Sequence, residues 1–242
     1  MLSLKSKSIW PGAHCLLRQY APQVMYPLSA IKARKAKGFQ TCSKVFGTEV
    51  DMWLQRAVEH GWLDWGASKC DWELEHALNI PGSAARAALF LWKELVARGF
   101  IAVSCQEQVS CEQYAAAPVL DLKGFNRHGE STIVEIKCGW AHAAHQGTSQ
   151  FSQPYTHINN NDRNLALLQL AMQVACLRAT GTNLKTSNAW MAALAPRVPN
   201  ESSPTEFDVT IIELKDLHME TASAMLMQHA ASQAGSSDTS EV

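Results

Sequence analysis

Residues 119–140, VLDLKGFNRHGESTIVEIKCGW, constrain the fold of this chain more than any other stretch. Two apolar runs, VLDL and STIVEIK, flank Gly124, Asn126, Arg127, His128 and Gly129, and that is hairpin chemistry: two strands joined by a turn. A hairpin closing about His128 sets Asp121 opposite Glu135, because each lies seven residues from the centre (128 − 121 and 135 − 128). Directly opposed residues of an antiparallel pair have Cβ atoms roughly 4.5–5.5 Å apart. Lys137, two residues beyond Glu135, shares their face. Two like charges that close on a largely apolar sheet call for a counter-charge. A hard divalent cation such as Mg²⁺ supplies one through carboxylate oxygens and waters, and the adjacent lysine can orient a water or steady a phosphate.

Asp121, followed after a turn by Glu135-Ile136-Lys137, resembles the PD-(D/E)xK nuclease superfamily, with Leu120 where the motif has proline. The chain is most similar to the branch containing lambda exonuclease, RecB nuclease domains and mitochondrial genome maintenance exonuclease. Gly47-Thr48-Glu49-Val50-Asp51 resembles that branch's G-T-x-V-H helix, with Asp51 in place of histidine. Glu107 lies fourteen residues before Asp121 (121 − 107), where such enzymes carry an extra acid. Gln169-Leu170-Ala171-Met172-Gln173 resembles the Q-L helix after the core, with Gln173 where tyrosine is frequent. The resemblance covers about residues 40 to 215 and implies an α/β, restriction-endonuclease-like core, a central mixed β-sheet flanked by helices. It implies Mg²⁺ or Mn²⁺ held by Asp121, Glu135 and the Ile136 backbone carbonyl, with Glu107 on a second ion or acting through water. Lys137 is then the residue that stabilises the attacking hydroxide and the phosphoryl oxygens. Some relatives carry an iron–sulfur cluster on cysteines after the core. None follows Cys176 here, so no cluster is expected.

The E-x-K triplet occurs again at Glu213-Leu214-Lys215, in the strand-like run FDVTIIELK. Its upstream acid, Asp208, is five residues away, an odd spacing that sends the two carboxylates to opposite faces of one strand. That segment reads as an ordinary strand. Asp121-Leu122-Lys123 is likewise better explained as the first strand of the hairpin.

The 242 residues suit one sizeable domain: 41–228 as the nuclease-like unit, 1–40 as a basic arm or targeting segment, 229–242 as a disordered acidic tail. No apolar run reaches the roughly 18–20 residues of a membrane span. Seven scattered cysteines without a C-x-x-C pair argue for a reducing, intracellular compartment rather than secretion, whether nuclear, cytoplasmic or mitochondrial. The net charge of −1 hides a polarity. Residues 1–48 hold eight Lys or Arg (5, 7, 18, 32, 34, 35, 37, 44) and no acid, whereas 201–242 hold eight acids and one base, Lys215. Lys32, Arg34, Lys35 and Lys37 form the best candidate phosphate-binding patch, although a short basic run is also an ordinary solvated turn. The acid-free N-terminus also suits a mitochondrial presequence, against which Pro11 and Gly12 interrupt the required helix.

Sequence patterning predicts a helix over 48–60, another from an N-cap at Ser83 to Arg98, strands near 101–112, 117–125 and 131–138, and a long loop over 139–161. A helix capped by Asp162 runs to about Thr180, strands follow near 187–195 and 206–215, and a helix spans 216–230. Residues 1–40, with Pro11, Pro22 and Pro27, read as irregular. Within the apolar run LALLQLAMQVACL, Gln169 and Gln173 lie four apart on one helix face. A buried glutamine must bond something: a water, a carboxylate or a substrate phosphate on one reading, a satisfied core amide on the other. Trp140 is placed to stack on a base. His142 and His145 read as loop residues, and Glu49 and Asp51 as residues that approach the site from the first helix. Three functions follow: a metal-dependent DNA exonuclease of recombination, repair or genome maintenance, a structure-selective endonuclease of the same fold, or an inactive DNA-binding module. The partner is DNA, with a single-strand-binding or recombination protein beside it. No membrane is implied, and the branch contains both rings and monomers, so a homo-oligomer stays open.

Overall fold

A computed structural model describes residues 10–21, 44–60, 76, 78–138, 150–159, 161–197 and 206–237. The patch Lys32, Arg34, Lys35 and Lys37, Trp140, His142 and His145 lie outside the described residues.

Among the described residues, five strands form one mixed sheet in the order β1-β2-β3-β4-β5. They are β1 (Ile101–Gln108), β2 (Val119–Phe125), β3 (Ser131–Cys138), β4 (Ala189–Pro196) and β5 (Phe207–Glu213). Only β3 and β4 are parallel. Parallel neighbours need a crossover, and the helix Asp162–Ala179 lies between them in the chain. Among the described residues the main α-helices are α1 (Ala13–Tyr20), α2 (Lys44–Glu59), α3 (Ala84–Ala97), α4 (Asp162–Ala179) and α5 (Asp216–Ser237). Among the described residues no helix is long and apolar enough to cross a membrane.

The sheet is covered on both faces, and the alternation of β3 and β4 shows how. Ile133, Ala189, Met191 and Ala193 pack with α1, α4 and α5. Val134, Ile136, Trp190, Ala192 and Leu194 pack with α2 and α3. Strands buried on both faces read as continuous apolar runs, which is why β4 is AWMAALAP. In α2, Phe46, Val50, Trp53, Leu54 and Ala57 make the buried stripe, spaced as one face of a 3.6-residue helix. In α4 nearly every residue from Ala166 to Leu177 is buried, because sheet, α1 and α5 surround it.

The hairpin closes as the spacing requires. Phe125 pairs with Ser131, Gly124 with Thr132, Lys123 with Ile133 and Leu122 with Val134, the register that sets position 121 against 135. Asn126 shapes the turn: its Oδ1 accepts from the backbone N–H of His128 and of Glu130, an Asx-type turn.

Several readings of the sequence need amendment, and the first predicted helix, expected over 48–60, already begins at Lys44. Residues 13–20 are helical rather than irregular, because Pro11 and Gly12 precede the helix instead of breaking it, and Ala13, Leu16 and Leu17 are buried in the core. The N-cap of α4 is Asn161, whose side chain accepts from the Asn164 N–H, with Asp162 in the first turn. β1 ends at Gln108. The last helix continues to Ser237, so residues 229–237 of the expected disordered tail are helical, and His229 at its start is buried.

Candidate active site

The hairpin does not stay paired along its whole length. Its ladder ends at Leu122–Val134 although both strands run on. In place of a backbone carbonyl, the Asp121 carboxylate accepts the Ile136 N–H at 2.7 Å. Gln173, reaching down from α4, fills the other side of the split. Its Nε2 donates to the Val119 carbonyl at 2.8 Å and to Glu135 Oε2 at 2.6 Å. The N–H and C=O of one extended residue face the same neighbouring strand, so the Ile136 carbonyl faces the Asp121 side as well.

Glu135 therefore sits at the floor of the split with no exposed surface. Its Oε1 accepts from Lys137 Nζ, and Gln169 Oε1 accepts from the same ammonium at 3.4 Å. The interaction between Glu135 and Lys137 is two residues apart on one strand face, as the alternation predicts. The Lys137 side chain is 22% exposed, which makes it the edge of the site that faces outward.

A third carboxylate comes from α2. Gly47 passes so close to the end of β3 that a Cβ built on it would touch the Cys138 Cβ at 4.0 Å. One helical turn further on, Asp51 is near enough to feel both Lys137 and Glu135. Burial, partly offset by Lys137 and reinforced by Glu135, pushes the Asp51 carboxyl up to about 6. Asp121 is raised well above the ordinary range by burial first, then by Glu135, with Lys137, Asp51 and the Ile136 N–H as smaller influences. Burial pulls Lys137 down, but the surrounding Glu135, Asp121 and Asp51 outweigh it and the net shift is upward. Three acids thus share one ammonium.

The acid expected from β1 is turned elsewhere. Glu107 accepts from Ser104 Oγ at 2.6 Å and pairs with Lys123 Nζ at 2.8 Å. The hydrogen bond from β1 to Asp121 comes instead from Gln106, whose Nε2 donates to Asp121 Oδ1 at 3.3 Å. No pattern in the sequence singles out Gln106. Glu49 lines an open cleft of about 590 Å³ between α2 and the start of α3, with Phe46, Trp53 and Pro81. Gln173 is 1% exposed and its amide is turned inward.

The donor set suits a hard cation: carboxylate oxygens from Asp121, Glu135 and Asp51 and a backbone carbonyl. Among the described residues no three His, Cys, Asp or Glu side chains are already arranged as a ligand set; the two Glu135 oxygens are engaged by Lys137 and Gln173. Comparison of the chain with protein-family models and with curated proteins gives no match.

Proposed function

We propose that this protein is a metal-dependent nuclease of the PD-(D/E)xK type that hydrolyses phosphodiester bonds in DNA, acting as an exonuclease. One observation carries the reading. A hairpin splayed by its own Asp121 brings Asp121, Glu135 and Lys137 together at the end of a mixed sheet, with acidic and amide side chains closing in from helices on both faces. The excess of carboxylates over cations there is what a divalent ion would neutralise.

Asp121 and Glu135 would hold Mg²⁺ or Mn²⁺, joined by the Ile136 carbonyl and Asp51. Such an ion supplies Lewis-acid neutralisation of phosphoryl charge and activation of water. The remaining chemistry belongs to the chain. Lys137 keeps a positive charge at the mouth of the site, where charge develops on the phosphoryl oxygens. Gln173 fixes the Glu135 carboxylate, and Gln169 gives the Lys137 ammonium a second resting place. The DNA assignment rests on the family resemblance and on the basic cluster at Lys32, Arg34, Lys35 and Lys37.

The test is incubation of pure protein with end-labelled linear DNA and closed circular DNA, with Mg²⁺, Mn²⁺ or chelator, beside an Asp121→Asn variant. Metal-dependent loss of the linear substrate alone, abolished in the variant, is the expected result. Nicking of the circle would replace the exonuclease reading by the endonuclease one. Salt-dependent binding without cleavage in any metal would mean a binding module.

A further inference from the structure

β1 carries a conformational anomaly beside the site. Gln106 has φ of 50°, in the left-handed region that residues with a side chain adopt at a cost. The pairs Cys105–Leu122 and Glu107–Leu120 leave it directly across from Asp121. An uninterrupted strand sends consecutive side chains to opposite faces. Here Gln106 reaches Asp121 and Glu107 reaches Lys123, although Asp121 and Lys123, two apart on β2, share a face. The left-handed residue breaks the alternation and makes both contacts available at once. Strain held at one residue, with its amide on a half-buried carboxylate, is the pattern of a built support rather than of a tolerated irregularity.

Resting on the nuclease reading, we infer that Gln106 is a positioning residue: its strained backbone aims an amide donor at Asp121 Oδ1 and fixes that carboxylate for cation binding while Oδ2 stays on the Ile136 N–H. Asp121 is then held through both oxygens, by one side chain and one backbone group, and its rotation about the terminal bond is stopped. Groups that orient a metal-holding carboxylate change metal affinity or activity by about 10–100-fold when removed.

The discriminating variant is Gln106→Gly. Glycine accepts the positive φ without strain and removes the whole side chain with its amide donor, so this protein is expected to fold, with a stability within about 1 kcal/mol of wild type. Its affinity for Mn²⁺, by calorimetry, is expected to fall about 10–100-fold, and its kcat on DNA to fall with KM unchanged. Gln106→Glu, which keeps the length but brings an anion instead of a donor, is expected to lose at least as much. A Gln106→Gly protein that binds Mn²⁺ and cleaves DNA like wild type overturns the positioning role and leaves the nuclease reading standing. Wild type that binds Mn²⁺ without cleaving DNA, with Gln106→Gly binding it more weakly, overturns the nuclease reading and upholds the role of Gln106 at Asp121. Wild type that binds no Mn²⁺ overturns both.

Discussion

Glu135 has no exposed surface, and each of its oxygens is engaged, one by Lys137 and one by Gln173. Leaving a buried carboxylate without its donor costs more than the bond itself contributes, about 1–3 kcal/mol or more for a charged group. Gln173→Leu, close in volume but without an amide, also abandons the Val119 carbonyl. It is expected to lower stability by about 1–3 kcal/mol in urea denaturation; a loss of only a few tenths would show that the amide is replaceable. Lys137 offers a contrasting case. Its ammonium is a compact point charge beside Glu135 and Gln169, and a planar guanidinium is a different shape with a different donor geometry. Lys137→Arg is expected to reduce kcat by about 10²–10³-fold while DNA binding persists; near-wild-type turnover would show that any cation suffices. The spacing of Asp121, Glu135 and Lys137 was readable because a hairpin of fixed period admits one register once its turn is recognised. Gln106 was not readable, because its contact depends on a left-handed backbone that no residue pattern announces.

The hairpin works as an element because β1 is threaded across it at one point without side-chain bulk. The β1–β2 register shifts between Ala102 and Ser104, opposite Gly124, and a Cβ on Gly124 would lie 2.0 Å from the Ile101 carbonyl oxygen. That contact is against backbone, so it cannot be relieved by a side-chain rotation. Gly124→Ala is expected to destabilise the protein by about 1–3 kcal/mol, through overpacking, and to reduce activity by shifting β1 against Asp121. Unfolding at the wild-type urea midpoint would show that the bulge yields freely. The bulge also explains a misjudgement from sequence. Counting back fourteen residues finds Glu107, whereas the extra residue in β1 and the turn of the backbone at Gln106 present Gln106 to Asp121 and swing Glu107 to Lys123. The position of Asp51 is set in a similar way. Its placement depends on how α2 packs over Cys138, a tertiary relation invisible in the local pattern. Element order was legible in α3, β3 and α4, where a cap or a long periodic run marks the ends. It failed at α1, where three buried residues and the packing of Tyr20 on Tyr155 make a helix that its flanking prolines disguise.

At the scale of the molecule, two helical layers enclose the sheet, and the layer of α1, α4 and α5 holds a buried histidine. His218 is 7% exposed, with its Nδ1 lacking a hydrogen-bond partner among the described residues. Burial, then Lys215 and Arg163, pulls its pKa from 6.5 down to about 4. The folded protein keeps this ring neutral where the unfolded chain takes a proton, so between these values the unfolded state binds more protons. The contribution is complete above about pH 6.5 and is lost as pH falls toward 4. A His218→Gln protein is expected to lose less stability than wild type between pH 6.5 and 4.5, read from urea midpoints. Parallel pH profiles for the two proteins would contradict that assignment.

The measurement that bears most directly on the proposed nuclease activity is single-turnover cleavage of end-labelled linear DNA by wild type and Lys137→Ala, with Mn²⁺ and with chelator. Cleavage by wild type only with metal is expected, with a rate at least about 10²-fold lower for a Lys137→Ala protein that still folds and binds DNA. Equal rates for the two proteins, or no cleavage by wild type in any metal, would contradict that expectation.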